Sequence, residues 1–341
     1  MVRRRASITA PPTRSRRRLP RGDAVRRGRD AATLAGVTPG APRPEPPAAQ
    51  GGFATRWREA AQRPSGPAQR AKRLLRDAAI SVQAWTDRRC DDRFLRCLFC
   101  HYVFDDQRGA FARIIDRLSR LGTFVTTDEC LAILGGGRPL DGRRFHLSFD
   151  DGFLNNAVNA APILRERGIH AAFFVPTAVI GTSPESMRSY CRRIQYPAAI
   201  ELMDWDDVAR LREEGFEIGS HTRTHARFSD ISADPARLED EIAGSKAELE
   251  ARLGAPCRTI SWPFGKRSDA DGVSLAAARR AGYAACFGAY RGSVHPGRTD
   301  PFSVPRHHFE AEWPLAHIEY FARGNRETPP SVVPGPQGAR P

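Results

Sequence analysis

Lysine is nearly absent from this chain: three residues (Lys72, Lys246, Lys266) stand against a Lys+Arg total of 53 and a formal net charge of +14. The positive excess is therefore arginine. Much of it precedes residue 75, in runs such as Arg3-Arg4-Arg5 and Arg16-Arg17-Arg18. No aromatic or helical pattern accompanies those runs, so no specific nucleic-acid reader is expected, although a basic arm of this kind can meet anionic surfaces through counterion release. No apolar run reaches the roughly 18 residues of a membrane-spanning helix, and no transmembrane segment is expected. Nor does an apolar stretch follow the first arginines, so the text reads as lacking a secretory signal, with the cytoplasm as the expected location. Seven irregularly spaced cysteines exclude a regular disulfide framework and fit reduced thiols. Internal repeats are also missing, which argues against a solenoid.

What is present divides the chain. Residues 1–75 are rich in Arg, Pro, Ala and Gly, as in Pro42-Arg43-Pro44-Glu45-Pro46-Pro47, and are expected to be a disordered extension, since such text buries too little apolar surface to offset ordering entropy. Residues 57–86 can carry a helix or two, since Leu74, Leu75, Ala78, Ala79 and Val82 recur at helical spacing, and 76–92 read as a linker or short helix. From 93 to 323 short apolar runs alternate with amphipathic stretches. Phe94–Val103, Arg144–Phe149, Ala171–Val175, Phe216–Ser220, Thr259–Trp262 and Tyr283–Phe287 read as strands. Between them 110–121, 155–167, 204–214, 235–253 and 270–281 read as helices, several stopped by glycine. This alternation predicts an α/β domain on a parallel sheet, closed or nearly closed as a (β/α) barrel, with an open doubly wound sheet as the alternative. Residues 324–341 read as a Pro/Gly-rich tail.

Ionisable residues cluster just after the predicted strands, where the active sites of parallel barrels lie. Asp150 and Asp151 close one strand in Ser-Phe-Asp-Asp-Gly. Adjacent carboxylates are costly unless a cation shares the site, and a divalent ion on one leaves the other ionised as a base; an ordinary acidic turn is the plain alternative. His221 and His225 follow another strand in His-Thr-Arg-Thr-His, and two imidazoles four apart on a helical turn reach one metal. Two imidazoles and one carboxylate form an open coordination set. Ser261-Trp262-Pro263-Phe264-Gly265 is either a core-capping turn or one wall of a sugar site with a backbone oxyanion donor. Cys97-Leu98-Phe99-Cys100-His101 matches the haem-attachment spacing, but it sits in an apolar strand. It reads better as two core cysteines delivering His101 to the strand end as a general acid.

Together these motifs resemble the polysaccharide deacetylase family, also called the NodB-homology or carbohydrate esterase four family, over roughly residues 95–310. Ser-Phe-Asp-Asp-Gly is similar to its Thr-Phe-Asp-Asp-Gly, and His-Thr-Arg-Thr-His to its paired-histidine motif. Ala172-Phe173-Phe174-Val175 and Gly215-Phe216-Glu217-Ile218-Gly219-Ser220 support the match. The resemblance implies a distorted (β/α) barrel, with Asp150 as base and Asp151, His221 and His225 as ligands of a divalent metal, zinc before iron, cobalt or nickel. It implies an N-acetylated glycan substrate and hydrolysis to acetate and free amine. Two departures stand out: Ser261 occupies the place where many members carry an arginine against the base, and no leucine-x-histidine follows residue 270. One branch, similar to poly-N-acetylglucosamine deacetylases, carries its acid histidine ahead of the Asp-Asp motif, and Cys100-His101-Tyr102-Val103 resembles that text. His101 is therefore the expected acid, with His307 and His308 in reserve, and the N–H of Phe264, flanked by Trp262 and Pro263, is the expected oxyanion donor. Another C–N hydrolase on the same scaffold, a deformylase or cyclic amidase, and a non-catalytic binder of anionic polymers are the competing expectations.

Overall fold

The computed structural model describes residues 52–61, 67–87 and 90–327. Eight strands form a single sheet: β1 Phe94–Cys100, β2 Thr123–Phe124, β3 Arg143–Phe149, β4 Ala172–Val175, β5 Glu217–Ser220, β6 Thr259–Ser261, β7 Ala285–Phe287 and β8 Arg306–His308. Their order is β7-β6-β5-β4-β3-β1-β8, with β2 on the first half of β3, and every paired strand runs parallel. Gly288 N–H donates to the Val304 carbonyl at 2.8 Å and Val304 N–H to that of Cys286 at 3.0 Å, so β7 meets the entry to β8 and the sheet nearly closes. The barrel expectation holds over the open sheet. One consequence positions everything below: the carboxyl ends of all the strands open on one face.

Burial explains the apolar strand text. All seven β1 residues are buried. Leu95 and Cys97 face the barrel interior with Ala172, Phe174, Ala285, Phe287 and Val304, while Phe94, Leu98 and Cys100 face the helical layer. Strands covered on both sides read as near-continuous apolar runs for this reason. The helix Arg108–Leu121 buries Phe111, Ile114, Ile115 and Leu118 on one stripe, each contributing about 2 kcal/mol. A charge at Ile115 would break that face. The helix Thr127–Leu134, absent from the sequence-based reading, closes the amino-terminal end of the barrel with Cys130, Ile133 and Leu134. Its Thr126 accepts the Glu129 N–H at 3.2 Å and its Glu129 caps back, a short box easily lost between two strands.

Order extends into text expected to be a disordered extension, as the helical spacing over 57–86 suggests. Residues 52–61 pack on the domain through buried Phe53 and Ala60, and Ala54 N–H donates to the Ala199 carbonyl at 2.8 Å. Trp57 stacks on Tyr102 with ring centroids 5.5 Å apart. A helix runs over Pro67–Thr86 and docks by Ile80 against Tyr320 and Phe321. Composition averages over such segments, whereas two or three aromatic and aliphatic anchors suffice to hold them. The arginine runs before residue 52 and the tail beyond 327 lie outside the described residues.

Candidate active site

Four strand ends and the segment after β8 converge on one cleft of about 530 Å³. Asp150 and Asp151 follow β3, where the chain turns sharply: Asp151 and Gly152 both have positive φ, 71° and 69°. The two carboxylates thereby point apart, each into its own set of partners. Asp151 Oδ1 lies 3.3 Å from His221 Nε2 and 3.2 Å from His225 Nε2, and its Oδ2 accepts from the Tyr196 hydroxyl at 3.0 Å. All three ligand candidates are buried, and their atoms lie within 4.8 Å of one another.

His221 donates from Nδ1 to the Ser261 carbonyl, 2.8 Å away, which leaves Nε2 free to face Asp151. The segment carrying the two histidines is not the helical turn expected from their spacing. Thr222 and His225 adopt positive φ, 63° and 64°, and the loop is held by Glu241, whose Oε2 accepts from Arg223 N–H at 3.0 Å and Thr224 N–H at 2.8 Å. A buried carboxylate accepting two backbone donors thus does what a helix would otherwise do. Three buried atoms, two imidazole nitrogens and one carboxylate oxygen, with each Nε2 facing Asp151 and no other side chain among the described residues, fit a borderline divalent cation. Hydrogen bonds and attraction from these imidazoles, against the opposing cost of burial, hold the Asp151 carboxyl well below its ordinary range. Burial lowers the His225 pKa, favouring the neutral, ligating form.

Asp150 takes a different partner, one that sequence reasoning missed. Arg306 on β8 grips it in a fork, Nη1 to Oδ1 at 2.8 Å and Nη2 to Oδ2 at 2.7 Å. The same guanidinium donates from Nε to the Gly288 carbonyl at 2.8 Å, from Nη1 to Ser148 Oγ at 3.1 Å and from Nη2 to Ser261 Oγ at 2.6 Å. Ser261 is thus no simple loss: an arginine arriving from β8 fills the space, and the short serine side chain leaves room for it. Burial opposes ionisation of Asp150, but Arg306 and the neighbouring imidazoles outweigh it and lower the pKa.

His101, just beyond β1, lies across the cleft. Its Nδ1 is 2.7 Å from Glu310 Oε1 and 3.1 Å from His308 Nε2. Burial disfavours the imidazolium, yet Glu310, followed by Asp151 and Asp150, pushes the His101 pKa up to about 9. Glu310 is itself held down, to about 2, against its burial by His308 and His101. The reserve histidines separate. His308 joins this group, whereas His307 turns away, 3.3 Å from Glu327. Cys100 faces Glu310, its thiol 3.2 Å from Oε2.

The aromatic turn divides too. Phe264, at φ 63° and 37% exposed, lines the cleft beside His225, and buried Trp262 contributes an edge. Pro263 is buried and not among the lining residues. Trp57 and Tyr196, neither anticipated from sequence, form the opposite wall. Trp57 lies in text read as extension, and Tyr196 follows a helix, Pro184–Arg193, that the sequence-based reading omitted.

Residues 137–286 match the family model described as polysaccharide deacetylase. Among solved structures, IcaB from Ammonifex degensii superposes with a TM-score of 0.56 at 25% identity, covering 69% of this chain and 98% of that one. Among curated proteins, gellan lyase of a Bacillus species is 32% identical over 121 residues, 36% of this chain and 4% of the lyase. YxkH of Bacillus subtilis (strain 168) is 24% identical over 137 residues, 40% of this chain and 41% of YxkH. The chain thus spans less than half the length of these curated relatives.

Proposed function

Since residues 137–286 form a polysaccharide deacetylase domain, we propose that this protein is a metal-dependent hydrolase that removes acetyl groups from an N-acetylated glycan. The observation that carries the reading is the convergence of His221 and His225 on Asp151, with a second carboxylate, Asp150, and a cationic histidine, His101, lining the same cleft. Asp151, His221 and His225 hold a divalent cation, zinc suiting the set and iron, cobalt or nickel also fitting it. When bound, that cation supplies Lewis acidity and a water of lowered pKa.

This chain's own residues do the rest. Asp150, kept ionised and fixed in orientation by Arg306, takes a proton from the attacking water. Oxygen adds to the acetamide carbon, and the N–H of Phe264 at the cleft rim is the proposed donor to the developing oxyanion. His101, protonated below about pH 9, gives its proton to the nitrogen as the C–N bond breaks, yielding acetate and a free amine. The Phe264 ring and the Trp57 wall suit the flat faces of a sugar. Serine at position 261 in place of an arginine is weak ground for a non-catalytic binder, because Asp150 has its clamp from Arg306 on another strand.

Acetate release from N-acetylglucosamine oligomers tests the reading, with formylated and cyclic amides as comparators. Asp151→Ala and His221→Ala are expected to lose activity together with the metal bound in the cleft. Asp150→Asn is expected to keep the metal and lose turnover, and an undiminished rate in that variant overturns the assignment of the base.

A further inference from the structure

We propose a second metal site, independent of the catalytic reading, formed by Cys97, Cys130 and His146 in the floor of the barrel and suited to zinc. The three residues come from β1, from the helix Thr127–Leu134 and from β3. All are fully buried at 0% exposure, and one ligand atom from each lies within 4.8 Å of the other two. His146, Ser148 and Asp150 alternate along β3, so the cluster lies four residues below the proposed base, outside the cleft and unused by the chemistry above.

The surroundings make the cluster anomalous as ordinary core. Its neighbours are Leu95, Val125, Ile133, Ala172, Phe174 and Phe287, and the His146 ring stacks on Phe287 with centroids 5.7 Å apart. Small aliphatic residues would fill this space with no polar atom to satisfy. Instead His146 Nδ1 is buried without a hydrogen-bond partner among the described residues, and an unpaired polar atom in such a place costs about 1–3 kcal/mol. The other ring nitrogen, Nε2, lies 3.1 Å from the Thr127 hydroxyl. A ring anchored at one nitrogen and open at the other is the arrangement of a ligating histidine.

The sulfur spacing points the same way. Cys97 Sγ and Cys130 Sγ are 3.9 Å apart. Two thiolates on one tetrahedral zinc, at about 2.3 Å each, stand about 3.8 Å apart. A disulfide requires about 2.05 Å. Charge selects the ion. Binding expels both thiol protons, and two thiolates, a neutral imidazole and a divalent cation sum to zero, the one total a dry apolar interior tolerates. The fourth corner of the tetrahedron is left to a small ligand such as water. Such an ion would tie the floor helix to two barrel strands, at a level where Cys97 pairs in register with His146 on one side and Arg306 on the other.

The test uses the full chain, loaded with excess zinc and desalted, and in parallel loaded with cobalt. The catalytic ligand set contains no sulfur, so a thiolate-to-cobalt charge-transfer band in the near ultraviolet that Cys97→Ser abolishes reports the floor site. Two equivalents of zinc and that band are expected in the unmodified protein, with the band lost in Cys97→Ser. An Asp151→Ala/His221→Ala protein leaves the floor untouched and is expected to keep one equivalent and the full band, so the proposal stays testable even where a cysteine variant fails to fold. Absence of the band from the unmodified cobalt protein overturns the proposal. So does a Cys97–Cys130 disulfide in the mass spectrum of unreduced peptides from zinc-loaded protein.

Discussion

Replacing Arg306 by alanine removes the fork that holds Asp150 and leaves a buried carboxylate without its charge partner. Asp150 and Arg306 are both buried, at 4% and 1% exposure, and the two contacts measure 2.8 and 2.7 Å. Breaking a buried pair by deleting one partner costs about 3–5 kcal/mol, because the other charge stays behind uncompensated. For a domain of this size that is a fall in Tm of roughly 10 °C. The sign of the pH effect follows from the depressed pKa of Asp150. Its contribution to stability is present above the ordinary carboxylate value and fades as pH falls through the lower, folded value. Without Arg306, burial is no longer outweighed by that guanidinium and the pKa rises. The acid limb of kcat/KM should move up with it, and kcat should fall about a hundredfold or more as Asp150 loses its orientation. Arg306→Lys keeps the charge but not the fork, so its acid limb should stay near that of the unmodified protein while kcat still falls. The assays are acetate release against pH and thermal unfolding, with metal content as a control. An Arg306→Ala protein with an unmoved acid limb and full kcat would refute the role given to this guanidinium.

Three further outcomes are expected. Glu310→Gln removes the carboxylate that raises His101 to about 9, so the basic limb of kcat/KM should shift down toward the ordinary imidazole value; the acid form persists below the folded pKa and is lost as pH rises through it. An unchanged basic limb would argue that another group delivers the proton. Tyr196→Phe deletes the hydroxyl on Asp151 Oδ2 and should weaken metal affinity by about 10–100-fold, read by competition with a chelating dye. Trp57→Ala strips one wall of the cleft and should raise KM for N-acetylglucosamine oligomers by roughly fivefold with little change in kcat; an equal loss in kcat would mean that the N-terminal segment orders the catalytic groups instead.

The barrel and the heart of the site were legible in the linear text because both are locally written. Each βα unit carries its own apolar run, its own amphipathic stretch and its own glycine stop, so alternation alone predicts a parallel sheet. Asp150-Asp151 and His221-x-x-x-His225 are adjacent or nearly so, and each sits where a strand ends. What escaped notice is written elsewhere. β8 spells Arg306-His307-His308, with no apolar signal, because Arg306 spends its inward position on Asp150 across a separation of 156 residues. Glu310 reaches His101 over 209 residues and Cys130 reaches Cys97 over 33.

Residues 52–61 show the same limit from the side of composition. Arginine, proline and glycine dominate the surrounding text, yet Phe53 and Trp57 find a surface formed by Tyr102, Tyr190 and Leu202. Sequence by itself determined which residue types could bind a cation and on which face of the sheet they would stand, since strand direction and periodicity are properties of short stretches. Only the tertiary structure decided which arginine grips Asp150, which carboxylate meets His101 and which thiols approach each other inside the barrel. Those pairings depend on the barrel closing, an event that no local window of residues encodes.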